Sequence, residues 1–291
     1  MIKEYMDNIK EVYPSFNIES YEVNNIGQNN AVIIINKSLV FRFPKYTKGI
    51  NKLKEEKEIL EAVKGRVSIP TPSFVYQSFD NFEIGKVFIG YKLIKGEPFW
   101  RETFFKIKDE YLKKALAIQV TTFLKEIHSI SKEKLDKFVN LEEANPIEVM
   151  DNLYKKIKDK LFPFIRDDAK KEISASFKDF INNEENKNIK INLIHGDFGA
   201  SNILYDKDLG KISGIIDFGG SCLGDPAYDF AGILTSYGED FFNMCINLYP
   251  GGNEIKKRVR FYKSTFALQE ALHGIENDDK EAFEDGIKDY R

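Results

Sequence analysis

The sequence predicts an α+β fold in two lobes, a small antiparallel sheet with one key helix and then a larger, mostly helical part. Three observations predict it. Short β-rich runs separated by turn formers fill the first 95 residues, one strongly patterned helix interrupts them, and from about residue 100 long amphipathic stretches take over. The chain is therefore divided into residues 1–95 and residues 96–291. A length of 291 residues, more than one core usually organises, agrees with that division.

In residues 2–13 the apolar positions Ile2, Tyr5, Met6, Ile9 and Val12 recur at helical spacing, and Pro14 ends the pattern. The runs SYEV, AVIIIN and LVFRFP follow, separated by NNIGQNN and NKS, whose residues suit hairpin turns. Next, KLKEEKEILEAVKG sets Leu53, Glu56, Ile59, Leu60 and Val63 along one helix face, with Gly65 where a C-terminal cap belongs. Beyond the IPTP turn, residues 74–94 read as strands and end in VFIGYKLIKG. Beyond the helical stretch at residues 2–13, five strands and one key helix make up this lobe.

In the second part, EYLKKALAIQVTTFLKEIHSI carries Leu112, Leu116, Val120, Phe123, Leu124 and Ile127 on one stripe. PIEVMDNLYKKIKDKLF and KKEISASFKDFINN continue in that style. Residues 191–194 and 202–217 interrupt the helices with β-rich runs, and helix returns after residue 226.

Hydrophobic residues at 42% and charged residues at 31% describe a globular chain able to fill a large core, and they do not indicate disorder. With 43 basic and 46 acidic side chains, the net charge of −3 gives no electrostatic reason for a nucleic-acid or anionic-membrane partner. Cys222 and Cys245 lack C-x-x-C spacing and read as two reduced thiols. The charged run MIKEYMDNIKEVYP has no secretory apolar segment, and no later run reaches transmembrane length, so the chain is read as cytoplasmic; separately, a monomer is expected.

The chemistry concentrates in LIHGDFGASNILYDKDLGKISGIIDFGG, residues 193–220. His195 is followed by Asp197 two residues on and Asn202 five further, and a second β-rich run delivers Asp217 into a Phe-Gly-Gly turn. An Asp carboxylate and an Asn carbonyl are hard oxygen donors that suit magnesium shared with phosphate oxygens.

H-x-D-x-x-x-x-N followed by I-D-F-G resembles the catalytic and metal loops of the protein-kinase-like small-molecule kinases, most closely the aminoglycoside phosphotransferases. VFRFPK and IIDFG resemble the 2''-phosphotransferase subgroup most, and GDPAYDF resembles the segment that closes the family's site. The resemblance implies a two-lobed protein-kinase-like fold and a Mg2+-dependent kinase that moves the γ-phosphoryl of ATP or GTP to a hydroxyl of a small molecule. It implies Asp197 as the catalytic acid that orients the acceptor hydroxyl and takes its proton, Asn202 and Asp217 as magnesium ligands, and His195 as a structural residue of the loop.

In the first lobe the resemblance implies Arg42 as the phosphate contact, where a kinase usually has lysine, with Lys45 the lesser candidate and Glu56 the ion-pair partner. The alternative for Glu56 is a solvated place in the run of residues 55–58. Gly27 in NIGQNNAV stands for the glycine-rich loop, and in GYKLIKG the Lys92 C=O and Ile94 N–H are the expected purine contacts.

The acceptor that the resemblance implies is an aminoglycoside antibiotic. Polycations call for acidic lining, and the helical part offers Glu239, Asp240, Glu270, Asp278 and Asp279. The subgroup carries a denser acidic stretch where this chain has AGILTSYGED, and an acid and a Tyr where Gln269 and His273 stand. A macrolide acceptor would want an apolar groove, which Leu223, Phe230, Ile233, Leu234, Tyr237 and Phe241 could form if they are not helix core; a small amino alcohol or sugar metabolite is a further alternative. A metal-dependent hydrolase ligated by His195, Asp197 and Asp217 would need more ligands, and only His128 and His273 remain as histidines. A nucleotide-binding regulator without transfer would have lost the base or a metal ligand, and all three are present.

Overall fold

The computed structural model describes residues 2–24 and 29–291. Its helices are α1 Ile2–Val12, α2 Thr47–Val63, α3 Arg101–Lys106, α4 Glu110–His128, α5 Lys132–Leu135, α6 Pro146–Lys160, α7 Asp167–Asn182, α8 Ala227–Tyr237, α9 Glu239–Leu248, α10 Gly252–Glu276 and α11 Lys280–Ile287. Its strands are β1 Tyr21–Asn24, β2 Asn30–Ile35, β3 Leu39–Pro44, β4 Phe74–Ser78, β5 Phe88–Lys92, β6 Glu97–Pro98, β7 Asn192–Ile194, β8 Ile203–Asp206, β9 Lys211–Ile215 and β10 Cys222–Gly224. The chain divides into two compact units. The first takes residues up to Phe99 with Ile130–Asn140 and Ser201–Ser221, and the second takes Trp100–Ser129, Leu141–Ala200 and Cys222–Arg291. Asn202 and Asp217 thus fold with the sheet and Asp197 with the helices, a grouping that a single cut at residue 95 does not express.

The first unit is built on a five-stranded antiparallel sheet in the order β1-β2-β3-β5-β4. Side chains alternate along each strand, so Phe41 and Phe43 of β3 turn to one face, where Ile33, Ile35 and Phe88 join Tyr5, Met6 and Ile9 of α1 in one core. Ile50 and Leu53 of α2 pack with Val87 and Ile89 in a second core on the other face. Removing each large apolar side chain from water stabilises the fold by about 1.5–3 kcal/mol. A one-residue slip of β3 would exchange the phenylalanines with Arg42, so the register is firmly specified. A three-stranded sheet, β6-β8-β9, completes this unit.

In the second unit α4 is the central helix, with Leu116, Val120, Phe123, Leu124 and Ile127 all buried. Asp109 caps it by accepting the Tyr111 and Leu112 N–H groups at 2.8 and 3.3 Å, and Asn145 caps α6 with proline in its first turn. The short pair β7-β10, together with α8 and α10, frames the loop that starts at His195. No helix among the described residues is long and apolar enough to cross a membrane.

Candidate active site

In the first unit β3 presents Arg42 to the α2 face, where Glu56 stands on the buried side of that helix. Arg42 Nη1 donates to Glu56 Oε1, and Nη2 donates to Asp217 Oδ1 at 3.2 Å. At 6% and 2% exposure, Arg42 and Glu56 leave no room for a solvated Glu56. Burial opposes the guanidinium charge, but the carboxylates of Glu56 and Asp217 outweigh it and hold the proton more firmly than on a free arginine.

Asp217 has φ 63° and ψ 72°, the left-handed region, which costs a non-glycine residue about 1–2 kcal/mol. Phe218 anchors the turn: its ring is fully buried and its backbone N–H reaches the Glu56 carboxylate. The strained backbone therefore sets a half-exposed Asp217 carboxylate beside Arg42. Asn202 belongs to the same construction, because the pairing of Ile203 with Ile215 places it opposite Ile216, whose N–H donates to the Asn202 C=O at 2.9 Å. An amide and a carboxylate on adjoining strand ends are a donor set that fits a hard divalent cation completed by phosphate and water oxygens. Among the described residues no group of three or more His, Cys, Asp or Glu side chains is placed to hold a metal.

Lys92 ends β5, and the Leu93 N–H between Lys92 and Ile94 donates to the Ser38 C=O at 2.8 Å. Lys92 and Ile94 line a hollow of about 570 Å³ together with Pro70 and Ile212. Gly27 lies outside the described residues.

The second unit holds Asp197. Its loop is fixed from beneath by Asp229 of α8, fully buried, which accepts the His195 N–H at 2.8 Å and the Gly196 N–H at 2.9 Å. His128 Nε2–H donates to the same carboxylate at 3.0 Å, leaving Nδ1 to accept the Tyr249 O–H at 3.0 Å. Tyr249 keeps that proton because burial pushes its phenol up to about 12. His195 is buried, and its Nδ1 accepts the Asp197 N–H at 3.3 Å, so it shapes the loop backbone. Gly232 of α8 lies so near the Phe198 carbonyl that any Cβ there would collide with it. The loop is thus pinned by backbone contacts that leave the Asp197 side chain lining a hollow with Tyr228, Ser236, Phe266 and Gln269.

The acids expected to bind a polycation stand elsewhere. Glu239 pairs with Arg260 at 2.9 Å, both exposed; Asp240 lines a separate hollow with Glu110 and Lys113; Glu270 is exposed, and none of the three lines the hollow beside Asp197. Leu223, Phe230, Ile233, Leu234, Tyr237 and Phe241 are all buried as helix and strand core, so they supply no apolar groove.

The model of APH, the phosphotransferase enzyme family, matches residues 20–262 of this chain. The chain belongs to the phosphotransferase enzyme family. Viomycin phosphotransferase of Streptomyces vinaceus is 38% identical over 104 residues, a stretch that spans 34% of this chain and about a third (36%) of that protein. The fold matches the GDP and kanamycin complex of APH(2")-IIia with a TM-score of 0.89 at 24% identity, over 98% of this chain and 96% of that one. The ADP-bound aminoglycoside phosphotransferase APH(2'')-Ib matches with a TM-score of 0.78 at 22% identity, over 100% and 97%. The two-lobed, kinase-like α+β fold follows from these likenesses.

Within this phosphotransferase-family chain, sequence reasoning missed the Asp229 hub and the lining residues Tyr228, Thr235, Ser236 and Phe266. The GDPAYDF segment was the available signal: Asp225 accepts from Arg258 at 2.6 and 3.2 Å and from the Tyr262 O–H at 3.2 Å, and Asp229 follows four residues later. Burial pushes the Asp229 carboxyl up, but His128 and the His195 N–H outweigh it and hold it below the ordinary carboxylate range. A depressed folded-state pKa stabilises the fold above the ordinary value, near 3.9, and that stability is lost as pH falls through the depressed one. Asp229→Asn is therefore expected to lower stability at pH 7 by about 3 kcal/mol or more and to flatten the loss of stability below about pH 4. Thermal melting at pH 7 and pH 3 checks this; an unchanged acid limb would refute it.

Proposed function

We propose that this chain transfers the γ-phosphoryl group of ATP or GTP to a hydroxyl of a small molecule, an aminoglycoside antibiotic in the first instance. The observation that carries the proposal is the joining of Arg42, Glu56 and Asp217 in one contact network, with Asn202 tied to the residue before Asp217. Phosphoryl transfer needs positioning and charge neutralisation more than covalent help. Asn202 and Asp217 would hold the metal, which when bound neutralises phosphate charge. Arg42, aligned by Glu56, contacts the phosphates with N–H groups that it does not spend on Glu56 and Asp217. Asp197 orients the acceptor hydroxyl and accepts its proton, with the loop already ordered by Asp229. The first unit serves as the nucleotide lobe, with Lys92 and Ile94 at the purine. The viomycin and kanamycin named for the relatives support an antibiotic acceptor. A regulator without transfer is the weaker reading, because Asp197, Asn202 and Asp217 are all retained.

The test is nucleotide consumption with magnesium and a panel of aminoglycosides, macrolides and small amino alcohols. Turnover with at least one aminoglycoside is expected, and none with any acceptor would overturn the proposal. In Asp217→Ala, magnesium-dependent nucleotide affinity should weaken about 100-fold or more, read by titration with and without the metal. Equal affinity in the variant and the native chain would remove Asp217 from the metal site.

A further inference from the structure

The hollow beside Asp197 has a volume of about 290 Å³ and lies wholly within the second unit. Among the described residues that line it, Asp197 carries the only charged side chain. The rest of the lining is aromatic, hydroxyl, amide or glycine backbone. Two of the hydroxyls are already engaged in holding the protein: Ser236 Oγ accepts the Ala200 N–H at 3.0 Å, and Thr235 Oγ1 donates to the Ala231 C=O at 2.8 Å.

Tyr228 and Gln269 are arranged differently. Thr265 Oγ1 donates its proton to the Tyr262 C=O at 2.7 Å, so toward Gln269 it can only accept. Gln269 Nε2 therefore faces Thr265, at 2.9 Å, and Oε1 faces Tyr228, whose O–H donates to it at 3.3 Å. Burial pushes the Tyr228 phenol up to about 12, so that donor keeps its proton. The amide is thus held in one orientation. One further N–H of Gln269, a second lone pair on its Oε1 and a lone pair of the Tyr228 oxygen remain to meet a ligand. Beside them the rings of Tyr228 and Phe266 meet edge to face with centroids 5.3 Å apart, a surface suited to the C–H face of a sugar ring.

This set satisfies an alcohol and offers an ammonium group neutral acceptors but no negative charge besides Asp197, which the reaction reserves for the acceptor hydroxyl. A cation placed there without a second carboxylate would lose its hydration uncompensated.

We propose that the acceptor presents an uncharged, polyhydroxylated ring at Asp197. The phosphorylated hydroxyl has oxygen, not an amine, on its neighbouring ring carbons, and the Tyr228–Gln269 pair binds one of those neighbouring hydroxyls. Ammonium groups of a cationic acceptor lie outside the hollow. The inference rests on the phosphotransferase reading and narrows it.

The experiment is the position of the phosphate. The native chain is incubated with magnesium, ATP or GTP, and kanamycin, which offers both kinds of hydroxyl, and the product is mapped by 31P and 1H NMR. Phosphate on a hydroxyl with no amine on either adjacent carbon is the expected result. Phosphate beside an amine overturns the inference and leaves the phosphotransferase reading in place, whereas no transfer to any acceptor of the wider panel removes both. A second measurement uses Gln269→Glu with a hexopyranoside and its vicinal amino-deoxy counterpart. The added carboxylate should raise the ratio of kcat/KM for the amino acceptor over the neutral one about tenfold. A parallel loss on both acceptors would mark Gln269 as structural and overturn the role given to the pair. Should that variant fail to fold, the product map of the native chain still decides.

Discussion

Asp197→Ala is expected to lower kcat by about 1000-fold or more while nucleotide affinity stays within a few-fold of the native value. A positioned general base contributes about 100- to 10,000-fold, and here the same carboxylate also fixes the angle of the acceptor hydroxyl, which favours the upper part of that range. The loop should survive the change. Asp229, the His195 ring and the Gly232 contact hold it through backbone N–H and C=O groups, not through the Asp197 carboxylate. The phosphate-facing residues Arg42, Asn202 and Asp217 belong to the other unit. Asp197→Asn isolates the proton-accepting role, since it keeps shape and removes charge. Single-turnover phosphoryl transfer and a nucleotide titration on both variants check the expectation. Turnover within tenfold of the native chain would end the base assignment, and loss of nucleotide binding alongside turnover would mean the loop had collapsed.

What is legible in this sequence is what local chemistry confines to a short window. HGDFGASN and IDFGG stand out because base and metal-ligand candidates must be of a few residue types at fixed spacings, framed by apolar strands. The run LVFRFP sets a charged residue amid core phenylalanines and the helical stripe carries Glu56, but it is the family resemblance that pairs the two. The support beneath the loop is different in kind. His128 lies 101 residues from Asp229 and 121 from Tyr249, so no window of the chain brings them together. The acceptor side is harder to read for a geometric reason: consecutive helix residues point about 100° apart, so Gln269 lines the hollow while Glu270 beside it is exposed. Composition counts such acids without saying which way they face. The placing of 201–221 with the sheet escapes a linear boundary because the β6-β8 pairing, between a two-residue strand and one more than a hundred residues later, carries no periodicity of its own.

Arg42→Met should be strongly destabilising, at about 3–5 kcal/mol, or a fall in melting temperature on the order of 10 °C. The reason is the carboxylate it abandons. Glu56 is 2% exposed and loses its partner without regaining water, and the strained Asp217 turn loses the 3.2 Å contact that steadies it. Removing both charges separates stability from function. Arg42→Met combined with Glu56→Leu leaves no orphaned charge and should recover most of the lost stability, because a buried ion pair and a well-packed apolar pair of similar volume differ little in free energy. Nucleotide affinity should not recover, since the phosphate-facing guanidinium is still gone. Arg42→Lys sharpens the same point: a single ammonium keeps the charge but cannot reach Glu56 and Asp217 with two donors held in a fixed fork. It should retain more stability than Met and less nucleotide affinity than Arg. Thermal melting and nucleotide titration across the three variants read both quantities. A single Met substitution costing under about 1 kcal/mol would show that Glu56 does not depend on Arg42, and a double variant that binds nucleotide normally would remove Arg42 from the phosphate site.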